Sequence, residues 1–237
     1  MAISSDKSRV MRLSIMISSL LIKCLIHLLA MAALPCESAH DHDVDPTRGF
    51  VSLPFNRSYY HIQSPYNLPE EKRYSFVNGV HKCWVYSTDK PHSRTSRTKP
   101  RTEIAIQGYQ YKSGTWEFEA YGYVPKGTSG VSIMQVFGSK PPTATSLMLM
   151  VYDGSLHCYS RGRVVVADIY DRWFKLNVVD DFDSGRIKVY INNEMKLEVL
   201  GRGGKYHAFK CGVYAHRNDS RRMESRWKGI KIFRKRV

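Results

Sequence analysis

The sequence predicts an all-β protein folded as a sandwich of two sheets. Apolar and polar residues alternate in several short segments, and a period of two is that of a half-buried strand. Short polar turns separate these segments, and no long stretch follows the helical period. The chain also has 15 tyrosines among 12% aromatic residues, which favour strands. Many short strands joined by tight turns are typical of a β-sandwich.

The clearest strand is predicted at residues 114–124, where the side chains separate into two sets. The apolar set is Trp116, Phe118 and Ala120, and the polar set is Glu117, Glu119 and Tyr121. Because neighbouring side chains of a strand point to opposite faces, the apolar set should share one face of the sheet and the polar set the other.

Two hairpins and a closing strand continue the pattern. The segments 172–179 and 186–192 flank the turn DDFDSG, and the segments 146–151 and 156–160 flank the turn YDGS. The final segment, 224–235, is predicted to be a closing strand with a less regular alternation.

The main loop, 87–100, is basic and rich in Ser and Thr. It forms either a rim over a groove or an ordinary solvated loop.

The first 39 residues are predicted to be a secretory signal peptide that is cleaved. Three basic residues precede an apolar run from 13 to 34, and small residues follow at candidate cleavage sites. The alternative is a retained membrane anchor, which a lysine and a histidine inside the run disfavour. Residues 40–49 are predicted to be a flexible acidic and histidine-containing N-terminus, and residues 50–237 a single domain.

The strongly basic composition restricts the class of partner. Lys and Arg number 36 against 21 Asp and Glu, a formal net charge of +15. Residues 1–39 hold four basic and two acidic residues, so the cleaved chain would carry +13. In the secretory route such a charge suits an anionic polysaccharide, an organic acid or an anionic membrane surface, and we expect no nucleic-acid partner.

Other short motifs concern covalent modification and metal binding. In an oxidising compartment one disulfide among Cys83, Cys158 and Cys211 is expected, although the sequence does not indicate which pair forms it. Asn56 and Asn218 begin N-x-S/T sequons and are candidate glycosylation sites. No residue spacing is typical of a metal site, so we expect neither a metal nor another cofactor.

Three strand segments carry polar side chains that suit a carboxylate ligand. The residues expected to share a face are Arg101 with Glu103, Gln135 with Phe137, and Lys210 with Gly212 and Tyr214. If these faces coincide, a guanidinium, an amide, an ammonium and a phenol would line one surface. Arg binds carboxylates through two hydrogen bonds, and Glu103 would hold Arg101 in place. The alternative is ordinary polar residues on outward strand faces.

The same segments resemble the three motif strands of the alginate-lyase-like polysaccharide lyases. The motifs R-[ST]-E-L, Q-[IV]-H and Y-F-K-A-G-V-Y appear as RTEI at 101–104, QVF at 135–137 and AFKCGVY at 208–214. The opening segment at 49–92, which begins GFVSLPFNRSYYHIQ, is similar to that of the plant citrate-binding proteins, which share the lyase fold. The resemblance implies a concanavalin-A-like β-jelly-roll sandwich over residues 50–237.

The resemblance also implies a site and a mechanism. In such lyases an Arg and a Gln neutralise a uronate carboxylate, which acidifies the C5 proton, and a His and a Tyr complete a β-elimination. The residues that match the motifs are Arg101, Gln135, Tyr214 and the motif lysine Lys210. The chain departs from the motifs at Phe137, which replaces the histidine, and at Ala208, which replaces a tyrosine.

The missing histidine leaves two functions open. In the first, catalysis is lost and the carboxylate pocket remains, so that Arg101, Lys210 and Gln135 hold citrate. In the second, Tyr214 acts alone as base and acid on a polyuronate of the glucuronan or alginate type, with help from a cationic neighbour. The candidate substitute bases are His157, His207 and His216, of which His216 should share the face of Tyr214.

We therefore predict a monomeric jelly-roll protein of the secretory pathway, vacuolar or extracellular, that binds citrate or a related carboxylate. The predicted ligand residues are Arg101, Glu103, Gln135, Lys210 and Tyr214. The alternative is a polysaccharide lyase in which Arg101, Gln135 and Tyr214 are catalytic. A third alternative is a non-enzymatic protein that associates with the cell wall or a membrane surface through its basic charge.

Overall fold

Strands make up most of this computed structural model, which describes residues 45–159, 162–217 and 219–236. The strands are β1 (Phe50–Leu53), β2 (Tyr60–Gln63), β3 (Tyr74–Val77), β4 (Val80–Tyr86), β5 (Arg101–Ile106), β6 (Thr115–Tyr123), β7 (Val131–Ser139), β8 (Thr145–Tyr152), β9 (Ser155–Cys158), β10 (Val164–Val166), β11 (Trp173–Asp181), β12 (Arg186–Ile191), β13 (Glu194–Leu200), β14 (Gly204–Ala215) and β15 (Arg222–Lys235). Two short 3₁₀ turns lie at Arg57–Tyr59 and Glu70–Lys72.

The strands form two sheets in which all pairings are antiparallel. Sheet A has the order β13-β12-β11-β6-β15-β4-β3, and β1 pairs with the end of β15. Sheet B has the order β10-β9-β8-β7-β14-β5-β2. Strands far apart in sequence are neighbours in both sheets, because the chain crosses repeatedly from one sheet to the other. The predicted all-β sandwich is confirmed.

The predicted hairpins are present, and a bulge explains the irregular closing strand. β11 pairs with β12, and β8 pairs with β9, around the two predicted turns. In β15 the register shifts between Lys228 and Lys231, where Gly229 has a positive φ of 62°. This bulge exchanges the two faces of the strand, so Trp227 and Ile232 both point into the core despite their odd spacing.

The core lies between the sheets, and the apolar set of β6, which shares one face as predicted, points into it. Phe118 and Ala120 are fully buried and pack with Phe209 and Trp227. On the other face of β6 only Tyr121 is exposed. Its two acidic neighbours on that face, Glu117 and Glu119, are buried in a polar cluster.

That polar cluster lies on the outer face of sheet A. Asn177 Nδ2 donates to Glu117 Oε1 at 2.7 Å and to Glu119 Oε2 at 3.1 Å. Lys175 and Lys231 form ion pairs with Glu119 at 3.0 and 3.1 Å. Burial raises the pKa of Glu117 to about 7, against the opposing effect of the Asn177 hydrogen bond. These partners make burial of the two carboxyl groups tolerable.

Residues 45–49 form a turn that leads into β1. Arg48 N donates to the Asp45 carbonyl at 3.1 Å, Asp45 Oδ1 accepts from Thr47, and Pro46 is buried. The expectation of a flexible segment at residues 40–49 stays a prediction. The predicted signal peptide, 1–39, and residues 40–44 lie outside the described residues. No helix within the described ranges is long and apolar enough to span a membrane.

The predicted disulfide does not form in this structure. Cys83, Cys158 and Cys211 are free thiols, and two of them are fully buried in different sheets. The sequence argument rested on the redox compartment and contained no geometry. Burial raises the pKa of Cys83 and Cys211 well above that of an ordinary thiol, so both behave as small apolar side chains.

The sequons lie in different environments. Asn56 is exposed and caps the first 3₁₀ turn by accepting from Ser58 N at 3.0 Å. Asn218 lies outside the described residues, and the hydroxyl of its sequon residue Ser220 donates to the Gly127 carbonyl at 2.6 Å. Among the described residues no cluster of three His, Cys or acidic side chains could hold a metal ion.

Candidate functional site

The three motif strands are adjacent at the centre of sheet B. β14 lies between β5 and β7, so the three predicted faces coincide. Lys210 is opposite Gln135 on one side and Ala105 on the other, while Tyr214 is opposite Arg101. The alternate residues of β14, such as Phe209, are in the core. The polar set therefore lines the outer face of sheet B.

These polar side chains are buried within the floor of that face. Arg101 is 6% exposed, Lys210 7% and Gln135 1%, and every residue of β5 is buried. Ordinary surface lysines and arginines keep their charged ends in water. The alternative of solvated polar residues on an outward face therefore does not fit the observed burial.

Glu103 is the anion at the centre of this arrangement. Its Oε2 atom accepts from Arg101 Nη1 at 3.2 Å, and its Oε1 atom accepts a short hydrogen bond from Gln135 Nε2. Gly212 is directly opposite Glu103, and a Cβ atom there would collide with the backbone of Thr102 and Glu103. The glycine of the AFKCGVY segment thus permits the close approach that aligns Glu103 with its partners.

The Arg101 guanidinium lies flat against Tyr214. Its Cζ atom is 3.7 Å from the centroid of the phenol ring, a close cation–π contact. Nη2 donates to Thr98 Oγ1 at 3.0 Å, whereas the buried Nε atom has no hydrogen-bond partner. Thr98 belongs to the predicted loop 87–100, so this loop contacts the site and forms part of its rim.

Lys210 is held between an aromatic ring and an amide. Its Nζ atom is 3.9 Å from the centroid of Phe137 and donates to Gln63 Oε1 at 3.1 Å. Burial lowers the pKa of Lys210, and the nearby Arg101 lowers it further, while Glu103 acts in the opposite direction. Gln63 lies on β2 and was not among the residues that the sequence identified.

Three histidines around the two cations experience their positive charge. Burial lowers the pKa of His61, His92 and His216, and the charge of Lys210 or Arg101 lowers each further. For His216 the pKa falls to about 4. All three rings are therefore neutral at neutral pH. His92 Nδ1 and His216 Nε2 are buried without a hydrogen-bond partner.

Comparison with known proteins places this geometry in a family. The family model described as alginate lyase matches residues 53–234. The chain belongs to the alginate lyase family. A citrate-binding protein from Hevea brasiliensis is 47% identical over 196 residues, which is 82% of each chain.

Solved structures of the alginate lyase family share the fold at low sequence identity. The polysaccharide lyase family 7 enzyme AlgAT5 has a TM-score of 0.60 at 15% identity, over 73% of this chain and 93% of the enzyme. The alginate lyase from Corynebacterium sp. has a TM-score of 0.59 at 15% identity, over 77% and 92% of the two chains. These matches support the predicted jelly-roll architecture.

Phe137 changes the chemistry available at the family's motif histidine position. A phenyl ring neither accepts nor donates a proton, and here it lies against the Lys210 ammonium. The ring is only half-buried and is opposite Ala208, the other position that departs from the motifs. The two apolar replacements are therefore neighbours, and together they make one end of the site apolar.

The three candidate substitute bases occupy different places. His216 lies beside Tyr214, with ring centroids 4.3 Å apart, as predicted. His157 lies on β9 against Tyr152, two strands beyond the motif strands. His207 points into the interior, where Nδ1 pairs with Asp180 at 2.6 Å and Nε2 contacts Ser146 at 3.0 Å. His207 therefore cannot act at this site.

The sequence missed three residues of the site for one common reason. Gln63, His61 and His92 come from β2 and the long loop, and none belongs to a motif strand. Only the position of β2 beside β5 brings the first two to the site, and that pairing is long-range. The basic character of loop 87–100 was the one sequence signal for His92.

The ion pair predicts a large effect of Glu103→Gln on stability. Removing the carboxylate leaves the buried Arg101 charge without its partner, so the free energy of unfolding should fall by about 3 kcal/mol or more. Glu198→Gln is the matched control, because Glu198 pairs with the exposed Arg186 at 3.0 Å, and its loss should cost less than about 1 kcal/mol. Urea denaturation measures both. Equal effects of the two variants would contradict the central role of Glu103.

The depressed pKa of His216 predicts loss of stability in acid. The unfolded chain binds a proton at this residue near pH 6.5, whereas the folded chain does so only near pH 4. The contribution of His216 to the free energy of unfolding should therefore be constant above pH 6.5 and fall by at most about 3 kcal/mol between pH 6.5 and 4. His216→Gln should flatten this part of the pH profile. An NMR titration that places the His216 pKa above 6 would refute the assignment.

Proposed function

We propose that the chain binds citrate or a related polycarboxylate in the site on the outer face of sheet B. The observation that carries this proposal is the burial of Arg101 and Lys210 with one carboxylate, Glu103, between them. The site retains excess positive charge, which adds to the effect of burial in lowering the pKa values of the surrounding histidines. The Hevea relative at 47% identity bears the name citrate-binding protein, and this supports the same ligand class.

Each polar side chain has a role that its geometry supports. Arg101 keeps Nη–H groups beyond those that it gives to Glu103 and Thr98, and these can bind one carboxylate, while Tyr214 supports the guanidinium by cation–π contact. Lys210 provides a second positive charge, and Gln135 keeps a second amide N–H beyond the one given to Glu103. Glu103 orients both Arg101 and Gln135, and it does not itself attract the ligand.

Burial of the cations lowers the cost of binding. Arg101 and Lys210 are already desolvated and fixed by their partners, so little side-chain freedom is lost when an anion arrives. An anion in such a low-dielectric environment interacts more strongly with each cation than in water. Glu103 cancels only one of the two charges, so the site keeps a net positive charge. A ligand with more than one carboxylate can contact Arg101 and Lys210 at the same time.

The cellular compartment is inferred from the sequence alone, and we include it in this proposal. We propose entry into the secretory pathway through residues 1–39 and glycosylation at the exposed Asn56. A vacuolar or extracellular location provides organic acids and anionic wall polymers for a basic protein. A monomer is the proposed state, and peripheral attachment to a membrane or wall would use the surface charge.

The proposal predicts that Arg101→Met weakens citrate binding. The variant keeps the side-chain volume above Tyr214 but removes the charge-assisted hydrogen bonds, so the Kd should rise about 10- to 100-fold. Isothermal titration of the purified protein with citrate measures this change. Arg186→Met on β12 of sheet A is the matched control and should leave the Kd within about twofold. In the wild type, citrate should raise the NMR pKa of His216, because the ligand offsets the charge of Arg101.

Two outcomes would contradict citrate binding at this site. One is an equal loss of affinity in the Arg101 and Arg186 variants, which would indicate general charge attraction. The other is tight citrate binding with no movement of the His216 titration, which would place the ligand elsewhere.

A polyuronate lyase is the second candidate function, and the contact of Tyr214 with Arg101 favours it. The phenol is half-buried on the open face of the site, and the Arg101 guanidinium lies 3.7 Å from the centroid of its ring. With Phe137 in place of the motif histidine, Tyr214 would have to remove the proton and protonate the leaving group. Both events can occur on one face in a syn elimination.

Incubation with glucuronan, alginate and polygalacturonate distinguishes the two functions. A lyase produces a 4,5-unsaturated uronate whose ultraviolet absorbance rises with time, and Tyr214→Phe should abolish that rise. We expect no rise for the wild-type protein, because the motif histidine is absent. A rise that is lost in Tyr214→Phe but kept in the control Tyr66→Phe would establish the lyase and make citrate an occupant of a uronate site.

A further inference from the structure

The outer face of sheet A carries an ordered alternation of charged and aromatic strands. The outward residues of the central strand β15 are Arg222, Glu224, Arg226 and Lys228. The outward residues of the flanking strands are Trp84 and Tyr86 on β4, Tyr121 and Tyr123 on β6, and Trp173 on β11. This surface lies on the opposite side of the sandwich from the site described above.

The rings and the cations of this surface are in contact. Lys228 Nζ is 4.3 Å from the centroid of Trp173, and Arg226 Cζ is 5.0 Å from that of Tyr123. Tyr123 and Trp173 are directly opposite in the sheet, with centroids 5.5 Å apart. Trp173 is 36% exposed and Tyr121 43%, which is unusual for such large rings on a flat sheet.

Positive charge exceeds negative charge on this surface. Glu224 is 2% exposed and forms ion pairs with Arg222, Arg226 and Lys82. Lys228 adds a fourth cation, and Asp171, which accepts from the Tyr123 hydroxyl at 3.1 Å, lies at the margin. Four cations therefore accompany one carboxylate on the face and a second at its edge, so an anionic partner complements it.

We propose that this surface, defined by Trp173, Tyr121, Tyr123, Arg226 and Lys228, binds a chain of an acidic polysaccharide. A sugar ring stacks its C–H face on an aromatic ring, and a uronate carboxylate pairs with Arg or Lys. Both groups are present here in one row across neighbouring strands.

The extent and openness of the row favour a polymer over a small anion. The row Trp173, Tyr123, Arg226 and Lys82 crosses four neighbouring strands, which spans roughly 14 Å at the usual strand spacing. A small anion on such an open face would keep most of its hydration and gain little. A chain of several sugars contacts several rings and cations at once, and these contacts act together.

Binding to immobilised polygalacturonate tests the proposal with the full chain. Trp173→Ala removes a ring without changing charge, and Lys228→Gln removes a charge without changing a ring. Each should weaken binding at least about threefold. The matched controls are Tyr66→Ala, an exposed ring beside loop 87–100, and Lys140→Gln, an exposed cation in the turn after β7, and both should bind as the wild type does. Citrate affinity should be unchanged in Trp173→Ala, and urea denaturation checks its fold.

Four results would overturn the proposal. Loss of binding in Lys228→Gln with none in Trp173→Ala would indicate charge attraction alone. Loss in Arg101→Met with none in Trp173→Ala would place the polymer in the sheet B site. Stronger retention on vesicles of anionic phospholipid than on the polymer would identify a membrane-binding face. Equal binding to immobilised dextran, which is uncharged, would remove the acidic chain as the ligand.

Discussion

The buried carboxylate of Glu103 is the interaction on which the sheet B site depends. Two cations lie in the floor of that face with almost no contact with solvent, and burial of unpaired charge is very unfavourable. Glu103 offsets this cost by accepting from Arg101 and Gln135 at the same time. The same contact also restricts the backbone, because only a glycine at position 212 lets β14 approach β5 closely enough. One carboxylate thus links three strands that are distant in sequence.

The positive charge of the sheet B site comes from buried side chains, whereas that of a basic surface patch comes from exposed ones. Among the described residues, the other Lys and Arg side chains are at least partly exposed, so salt screens their charge and they can only steer a ligand towards the protein. Arg101 and Lys210 are instead desolvated and held by aromatic rings, Tyr214 and Phe137. Phe137 therefore does more than remove a histidine. It provides the apolar support that keeps an ammonium in place.

The two outer faces of the sandwich differ in how far their charged side chains are buried. On sheet B the charges are buried and few, which suits a compact ligand with several carboxylates. On sheet A the cations of β15 remain partly exposed between rows of aromatic rings, which suits an extended ligand. The polar cluster around Glu117 and Asn177 on sheet A is a structural feature, because its groups bond mainly to one another.

The sequence by itself determined the sandwich class, the hairpins and the identity of the motif residues. Those features depend on period-two alternation and on short turns, which are local, and on three short motifs that need no partner to be visible. Arg101, Gln135, Lys210 and Tyr214 could be identified in this way. The alternation does not show that polar residues such as Glu117 are buried on an outer face, and a bulge at Gly229 interrupts it in β15.

Only the tertiary structure decided what surrounds those motif residues. Gln63 contacts Lys210 across 147 positions of sequence, and no local pattern encodes such a pairing. The direction of His207 was likewise set by its neighbours, since Asp180 draws it into the interior, whereas His216 stays beside Tyr214. The free thiols and the burial of the cations also depend on how the two sheets pack. Long-range contacts fix these features, because the position of each strand in its sheet depends on the whole chain.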